Sequence, residues 1–222
     1  MPPIPRAILF DLDGTLADTA PDLAAAVNLL RTSRGLMPAT YESLRPVASS
    51  GARGLIGVAF GLKPEDAGYE ILRTDFLNNY AAALAVESRL FDGVIELIKG
   101  LNEHDLAWGI VTNKAARFTD PLVSRIGLHE AGCVVSGDTT PQPKPHPGPL
   151  LEAARRLGIA PQDCWYIGDD IRDIQAGQAA GMHTVAAAWG YCGAFAPRSW
   201  GADLIVNTPL QLLECIQNRC LA

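Results

Sequence analysis

The chain reads as an α/β protein: a parallel sheet covered by helices on both faces, interrupted after its first strand by an all-helical block. Three observations predict this. The apolar run Ile8-Leu9-Phe10 leads into Asp11-Leu12-Asp13-Gly14-Thr15, as a buried strand that ends in a tight turn would. From there to about residue 88 the apolar positions recur at helical spacing and no strand pattern stands out. Beyond Phe91-Asp92-Gly93, short apolar runs alternate with amphipathic helical stretches, the pattern of a parallel sheet with crossover helices.

In the first strand, residues two apart point to one face, so Asp11 and Asp13 are expected to crowd one spot past its end. Two carboxylates that close repel unless they share a proton or a cation. A hard divalent ion such as Mg²⁺, which takes oxygen ligands, resolves this most simply. Gly14 supplies the turn. Asp18 or Thr19 is placed to cap a helix whose first turn holds Pro21 and Asp22, and Leu23, Val27 and Leu30 give it an apolar stripe. Further apolar faces follow at Leu55, Ile56, Val58 and Phe60, and at Ile71, Leu72, Phe76, Leu77 and Tyr80. The stretch Ser49-Ser50-Gly51-Ala52-Arg53-Gly54 between them reads as a flexible, polar, basic turn. A lone strand is not a domain, so the helical block is read as an insertion, residues 17–88. The core is then residues 1–16 and 89–222.

In that core, strands are expected at 107–112, 133–135, 164–167, 183–187 and 204–206. Helices are expected at 94–101, 115–126, 149–157, 171–180 and from about 210. The run Pro141-Gln142-Pro143-Lys144-Pro145-His146-Pro147 is too short for a linker and reads as a fixed loop.

Composition narrows the function. At 222 residues with 48% hydrophobic content, the chain can bury a full core, and its net charge of −6 argues against nucleic acid or an anionic membrane as the main partner. Cys133, Cys164, Cys192, Cys215 and Cys220 are an odd set without a Cys-X-X-Cys pair. They fit reduced thiols of a cytoplasmic protein better than a disulfide framework or a zinc site. Residues 1–6 have no apolar leader core, and no stretch of 18 apolar residues offers a membrane span. His104, His129, His146 and His183 form no ligand spacing.

Ligands of open parallel sheets bind at the carboxyl ends of strands, and each strand end here carries polar groups. The first has Asp11 and Asp13, the second Thr112-Asn113-Lys114, and the fourth Gly168-Asp169-Asp170-Ile171-Arg172-Asp173. Lys144 follows the third strand. Alone, a Thr-Asn pair reads as a helix cap, a lysine as a surface charge, and an Asp-Asp pair as a complement to a helix dipole. Together, one hydroxyl, one lysine and clustered carboxylates fit phosphoryl transfer to an aspartate.

These residues resemble the four motifs of the haloacid dehalogenase superfamily phosphatases. Asp11-Leu12-Asp13-Gly14-Thr15 matches the first, Thr112 the second, Lys144 the third, and Gly168-Asp169-Asp170 with Asp173 the fourth. The resemblance covers the whole chain, since the helical insertion sits where this family places its cap, and it implies a doubly wound, Rossmann-like core. Pro143 departs from the small hydroxyl residue often found before the third-motif lysine. The resemblance assigns Asp11 as nucleophile and Asp13 as acid and base. It assigns Asp11, the Asp13 backbone carbonyl and Asp169 as Mg²⁺ ligands. Thr112 and the Asn113 backbone would hold phosphoryl oxygens. Lys144 would offset charge, steadied by Asp173 or Asp170.

Within the superfamily, Phe91-Asp92-Gly93-Val94, the stretch 108–114 and Gly190-Tyr191 resemble the phosphoglycolate phosphatase-like branch. Ser50-Gly51-Ala52-Arg53 and Trp200-Gly201-Ala202-Asp203 resemble the N-acetylmuramic acid 6-phosphate phosphatases of that branch. The implied partner is a small phosphorylated metabolite bearing a carboxylate, which Arg53 is placed to bind, on a monomer or homodimer. A phosphosugar mutase would keep the same motifs and differ in the cap. A receiver-type phosphoacceptor switch lacks Asp-X-Asp-Gly-Thr and the insertion. A dehalogenase needs neither Asp13 nor a metal.

Overall fold

The computed structural model describes residues 4–193 and 195–220. The reading of residues 1–3 as lacking a leader, the outer boundaries at 1 and 222, and the thiol of Cys220 lie outside what is described. Six parallel strands form the main sheet: β1 (Ala7–Phe10), β4 (Ala107–Val111), β5 (Val134–Val135), β6 (Cys164–Gly168), β7 (His183–Ala187) and β8 (Leu204–Val206). Their order is β5-β4-β1-β6-β7-β8, so the chain builds outward from β1 first on one side and then on the other. All four β1 residues are buried. Ile8 and Phe10 enter one apolar cluster with Trp108, Ile110, Trp165 and Ile167. Ala7 and Leu9 enter another with Val111 and Tyr166. The period-two alternation thus feeds two cores, one on each face.

Helices α5 (Val94–Glu103), α6 (Ala116–Arg125) and α9 (Pro209–Cys220) supply the first core through Leu97, Leu122 and Leu212. Helices α7 (Gly148–Leu157) and α8 (Ile171–Ala179) supply the second through Leu150, Ala153 and Ala176. Burying each such leucine is worth about 1.5–3 kcal/mol. The expected doubly wound sheet is therefore the observed one, with element ends within a residue or two of expectation.

Between β1 and β4 lie α1 (Ala20–Thr32), α2 (Tyr41–Leu44), a 3-10 helix (Arg45–Ser50), α3 (Gly51–Phe60) and α4 (Tyr69–Ala82). Two features here differ from expectation. A short antiparallel ribbon, β2 (Ala17–Asp18) with β3 (Arg89–Leu90), joins the segment to the sheet, pairing Ala17 with Leu90 and Asp18 with Arg89. Two residues per strand are too few to leave a periodic signal. The turn expected at 49–54 is instead the end of the 3-10 helix and the first turn of α3. Gly54 is there for close packing, since a Cβ would come within 2.7 Å of the Val47 carbonyl oxygen.

Thr19 is the N-cap residue of α1, as expected, but its side chain makes no capping bond. Asp22 does more than complement a helix dipole. It is buried and accepts bonds from the backbone N–H groups of Val86, Glu87 and Ser88 and from the Ser88 hydroxyl. The start of α1 is thereby tied to the strand that leaves the helical segment. No helix among the described residues is long and apolar enough to cross a membrane.

Candidate active site

The order of strands reverses direction around β1, and a ligand cleft belongs at the carboxyl end of such a switch point. Asp11 follows β1 there, with Thr112 after β4 and Asp169 after β6. A cavity of about 340 Å³ opens at this point, with Asp11, Asp13, Thr112, Asn113 and Lys144 in its wall. The opposite wall comes from the helical segment, including Arg53, Tyr69 and Tyr80.

Lys144 is 4% exposed despite its exposed proline neighbours. Its Nζ donates to the Val111 carbonyl at 3.0 Å, the Tyr166 hydroxyl at 2.8 Å and Asp173 Oδ1 at 2.7 Å. Those three bonds use every hydrogen of the ammonium. Asp11 Oδ1 also lies 2.8 Å from Nζ. That contact is an ion pair without a hydrogen to spare for it, and Asp11 Oδ1 has no hydrogen-bond partner. Between the two carboxylates that sequence offered as supports for Lys144, the structure selects Asp173. Asp170 caps α8 and pairs with Arg172 instead, and Asp173 completes the capping box. Arg172 also donates to the Ser49 carbonyl, linking α8 to the helical segment.

The Asn113 side chain clamps the Lys144 backbone from both ends, donating to its carbonyl and accepting from its N–H, each at 2.9 Å. Thr112 is buried, and its hydroxyl accepts from the Lys114 N–H. Asp13 is held differently from Asp11: the Thr19 hydroxyl donates to Oδ1, as does Lys114 Nζ at 2.8 Å. Burial disfavours the Lys114 charge, but Asp13 outweighs it and keeps the ammonium's pKa above its ordinary value. Arg53 is exposed on the first turn of α3 and reaches the cavity wall.

Asp169 is fully buried and accepts from the Thr15 hydroxyl, the Ser49 hydroxyl and the Tyr191 N–H. Burial, and then the charges of Asp11 and Asp173, push its carboxyl well above the usual range. Gly14, at φ +90°, makes room for it: a Cβ there would meet Asp169 Oδ2 at 2.2 Å. Burial likewise lifts Asp11 to about 7, with Lys144 opposing and Asp173 and Asp13 adding to the rise.

Carboxylate oxygens of Asp11, Asp169 and Asp173 lie within 4.8 Å of one another. An all-oxygen set of three buried carboxylates, carrying more negative charge than Lys144 offsets, fits a hard divalent cation. Of the three, Asp173 is bonded to the Lys144 ammonium through Oδ1, whereas Asp169 accepts only from neutral donors, the Thr15 and Ser49 hydroxyls and the Tyr191 N–H. The Asp13 side chain is outside this cluster, so any part it takes is through its backbone.

Sequence reasoning passed over Lys114, Tyr166, Thr15, Ser49 and Thr19 as site residues. Only Thr15 and Lys114 stood inside recognised motifs. None of the four described cysteines lines this cavity; Cys133, Cys164, Cys192 and Cys215 are free thiols, and burial raises the first three to about 11.

Residues 8–187 match the family model described as haloacid dehalogenase-like hydrolase. A phosphoglycolate phosphatase of Xanthomonas campestris pv. campestris is 47% identical over 212 residues, spanning 95% of this chain and 96% of that one. An N-acetylmuramic acid 6-phosphate phosphatase of Pseudomonas aeruginosa is 43% identical over 213 residues, spanning 95% and 94%. Among solved structures, a predicted phosphoglycolate phosphatase from Haemophilus somnus 129PT superposes with a TM-score of 0.84 at 26% identity, covering 95% of this chain and 97% of that one.

Proposed function

The chain belongs to the haloacid dehalogenase-like hydrolases, and from that premise we propose that it is a Mg²⁺-dependent phosphatase of the phosphoglycolate phosphatase kind, acting through a phosphoaspartate on Asp11. The observation that carries the reading is the Asp11 carboxylate: buried in the cavity wall just past the end of β1, with its Oδ1 ion-paired to the buried Lys144 ammonium. A buried carboxylate with a fixed cation beside it suits in-line attack on phosphorus.

Asp11 and Asp169 would hold Mg²⁺, with the Asp13 carbonyl completing the protein's share. When bound, the ion offsets charge on the phosphoryl oxygens and on Asp11. The Asp11 oxygen attacks phosphorus, the ester P–O bond breaks, and Asp13 gives its proton to the leaving oxygen. Asp13 then takes a proton from water as that water attacks the phosphoaspartate, freeing phosphate and restoring Asp11. Thr112 and the Asn113 backbone orient phosphoryl oxygens. Lys144, held rigid by Asp173 and Tyr166, offsets the charge that develops on them. The helical segment, residues 17–88, acts as the cap that chooses the leaving group, with Arg53 on its cavity wall for a carboxylate. The free thiols support a cytoplasmic setting.

A second reading, an N-acetylmuramic acid 6-phosphate phosphatase, is favoured by the cavity's size and by Tyr69, Phe76, Tyr80 and Phe118 along it, an aromatic wall suited to a sugar ring.

The test of the reading is Asp11→Asn, assayed by phosphate release from p-nitrophenyl phosphate and phosphoglycolate with Mg²⁺. Turnover should fall by several orders of magnitude with the fold intact. A folded variant that keeps more than about a tenth of the activity removes Asp11 as nucleophile.

A further inference from the structure

Within the acidic cluster, Asp169 is the carboxylate that accepts a hydrogen bond from the helical segment. Ser49, near the end of the 3-10 helix, donates its hydroxyl to Asp169 Oδ2 at 3.0 Å. The other two donors belong to the core: the Thr15 hydroxyl reaches Oδ1 at 3.1 Å, and the Tyr191 N–H reaches Oδ2 at 2.9 Å. Core backbone packs against the same side chain. A Cβ would meet Asp169 Oδ2 at 2.2 Å from Gly14 and Asp169 Cβ at 2.3 Å from Gly190. With Ser49 added, no part of Asp169 is exposed.

Two further ties run from the same six-residue helix to the surroundings of Asp169. Arg172 Nη2 donates to the Ser49 carbonyl at 2.8 Å, while its guanidinium grips Asp170 through Nε and Nη2 at 2.8 and 2.9 Å. Arg45, at the start of the helix, places its guanidinium 4.9 Å from the centroid of the Tyr191 ring, a cation–π contact. Tyr191 is the residue whose N–H shares Oδ2 with Ser49. Both ends of the helix are therefore fastened to groups that hold Asp169 or its neighbour. A contact made only to seat one segment on another could fall anywhere along their boundary. This one converges on a carboxylate of the cluster that fits a cation.

We propose that Ser49 is a positioning residue for the metal site: docking of the helical segment orients Asp169 through this hydroxyl, and the cation in turn strengthens the docking. The inference rests on the assignment of Asp169 as a Mg²⁺ ligand in the reading above. A carboxylate has about four lone-pair sites. Ser49 and Tyr191 fill the two on Oδ2 and Thr15 takes one on Oδ1, so the donors fix the plane of the group and leave a site on Oδ1. Donors behind a ligating carboxylate are typically worth about 10- to 100-fold in metal affinity. Linkage is reciprocal: the factor that docking adds to cation affinity is the factor that the cation adds to docking. When the segment lifts, Asp169 loses a donor. The site is complete only when segment and ion are both in place.

The test measures Mg²⁺ affinity of the full chain by calorimetry, without substrate, in wild type, Ser49→Ala, Ser49→Thr, Arg172→Lys and Asp169→Ala. Hydrogen exchange of the backbone amides of residues 45–54 is followed in parallel, with and without the ion. Ser49→Ala should weaken Mg²⁺ binding about 10-fold, and Ser49→Thr, which keeps the hydroxyl, by less than about 3-fold. Arg172→Lys keeps the charge but loses the fork that joins Asp170 to the Ser49 carbonyl, and should weaken binding about 3- to 10-fold without touching Asp169. In wild type Mg²⁺ should slow exchange across 45–54 about 10-fold, and in Ser49→Ala it should have little effect. Should Ser49→Ala fail to fold, Arg172→Lys decides. A Ser49→Ala variant that binds Mg²⁺ as tightly as wild type or more tightly overturns the proposal. So does a threonine variant as weak as the alanine one, or an effect of the ion on exchange that survives the substitution. Asp169→Ala separates the two levels. If it leaves Mg²⁺ affinity unchanged, the metal assignment fails and the proposal with it; if it weakens binding while Ser49→Ala does not, the proposal alone fails.

Discussion

Withholding metal and raising the pH from about 5 to about 8 should loosen this fold, and Asp11 sets the scale. Burial, eased by Lys144 and reinforced by Asp173 and Asp13, lifts its carboxyl from 3.8 to about 7. In the unfolded chain the group returns to its ordinary value. The folded state therefore keeps a proton that the unfolded chain has already released. Asp11's contribution is full below the unfolded value of 3.8, declines as the pH rises towards about 7, and levels off above it. A shift of about three units corresponds to at most about 4 kcal/mol, a large part of the roughly 5–15 kcal/mol that holds a typical domain together. The assay is denaturant unfolding across this range with a chelator present, on wild type and on Asp11→Asn. The difference between the two removes the titration of groups that Asp11 does not touch and leaves that of Asp11 with the neighbours that feel its charge, Asp169 foremost. Wild type should lose about 2–3 kcal/mol relative to the variant over this range, and Mg²⁺ at the upper pH should restore much of it in wild type alone. A difference that is flat with pH, or that grows in favour of wild type, would refute the argument.

Asp169→Ala should weaken activation by Mg²⁺ more than Asp173→Ala does. The latter instead costs stability, by about 3 kcal/mol, through the loss of Lys144's buried partner. The reverse ranking in a Mg²⁺ titration would move the metal. Tyr166→Phe removes an acceptor from Lys144 and a bond to the Val111 carbonyl, so it should lower stability by about 1–2 kcal/mol and reduce kcat more than it changes KM. Wild-type unfolding and turnover would show the hydroxyl to be dispensable. Arg53→Ala should cost about 1.5–3 kcal/mol in kcat/KM on a carboxylated phosphoester and little on p-nitrophenyl phosphate. Equal losses on the two would take Arg53 out of substrate choice.

The sheet was legible because each strand is an apolar run that stops at polar residues, and those stops are also where the site lies. Asp11, Thr112 and Asp169 could be picked out for that reason, and Lys144 by its place in the proline-rich loop after the third strand of the sheet. What each side chain does there was less legible, because it depends on partners far away in the chain. Lys114 follows a strand as many surface lysines do. Its burial is set by Asp13, 101 positions away, and by Tyr80 on the helical segment. Tyr166 sits inside an apolar strand and reads as core, yet its hydroxyl is one of the three acceptors of Lys144. The choice between Asp170 and Asp173 was within reach: acidic residues three apart at a helix start form a capping box, which assigns the first to the cap. At 49–54, serines and glycines signalled a loop, whereas Gly54 allows two helices to touch.

The ribbon of β2 and β3 has a consequence for how such a protein diversifies. Asp18 and Arg89 are paired neighbours, so the seventy residues between them begin and end at one spot on the sheet, and Asp22 fastens the two tethers together. Topologically the whole insertion is a long hairpin loop. Segments whose ends meet are the ones a host fold tolerates exchanging, since closing a longer or shorter loop changes the entropy only slowly with length. On the function proposed above, the segment that would choose the leaving group is separable from the strand ends that would do the chemistry, and a lineage can trade the first for another while the second stay in place.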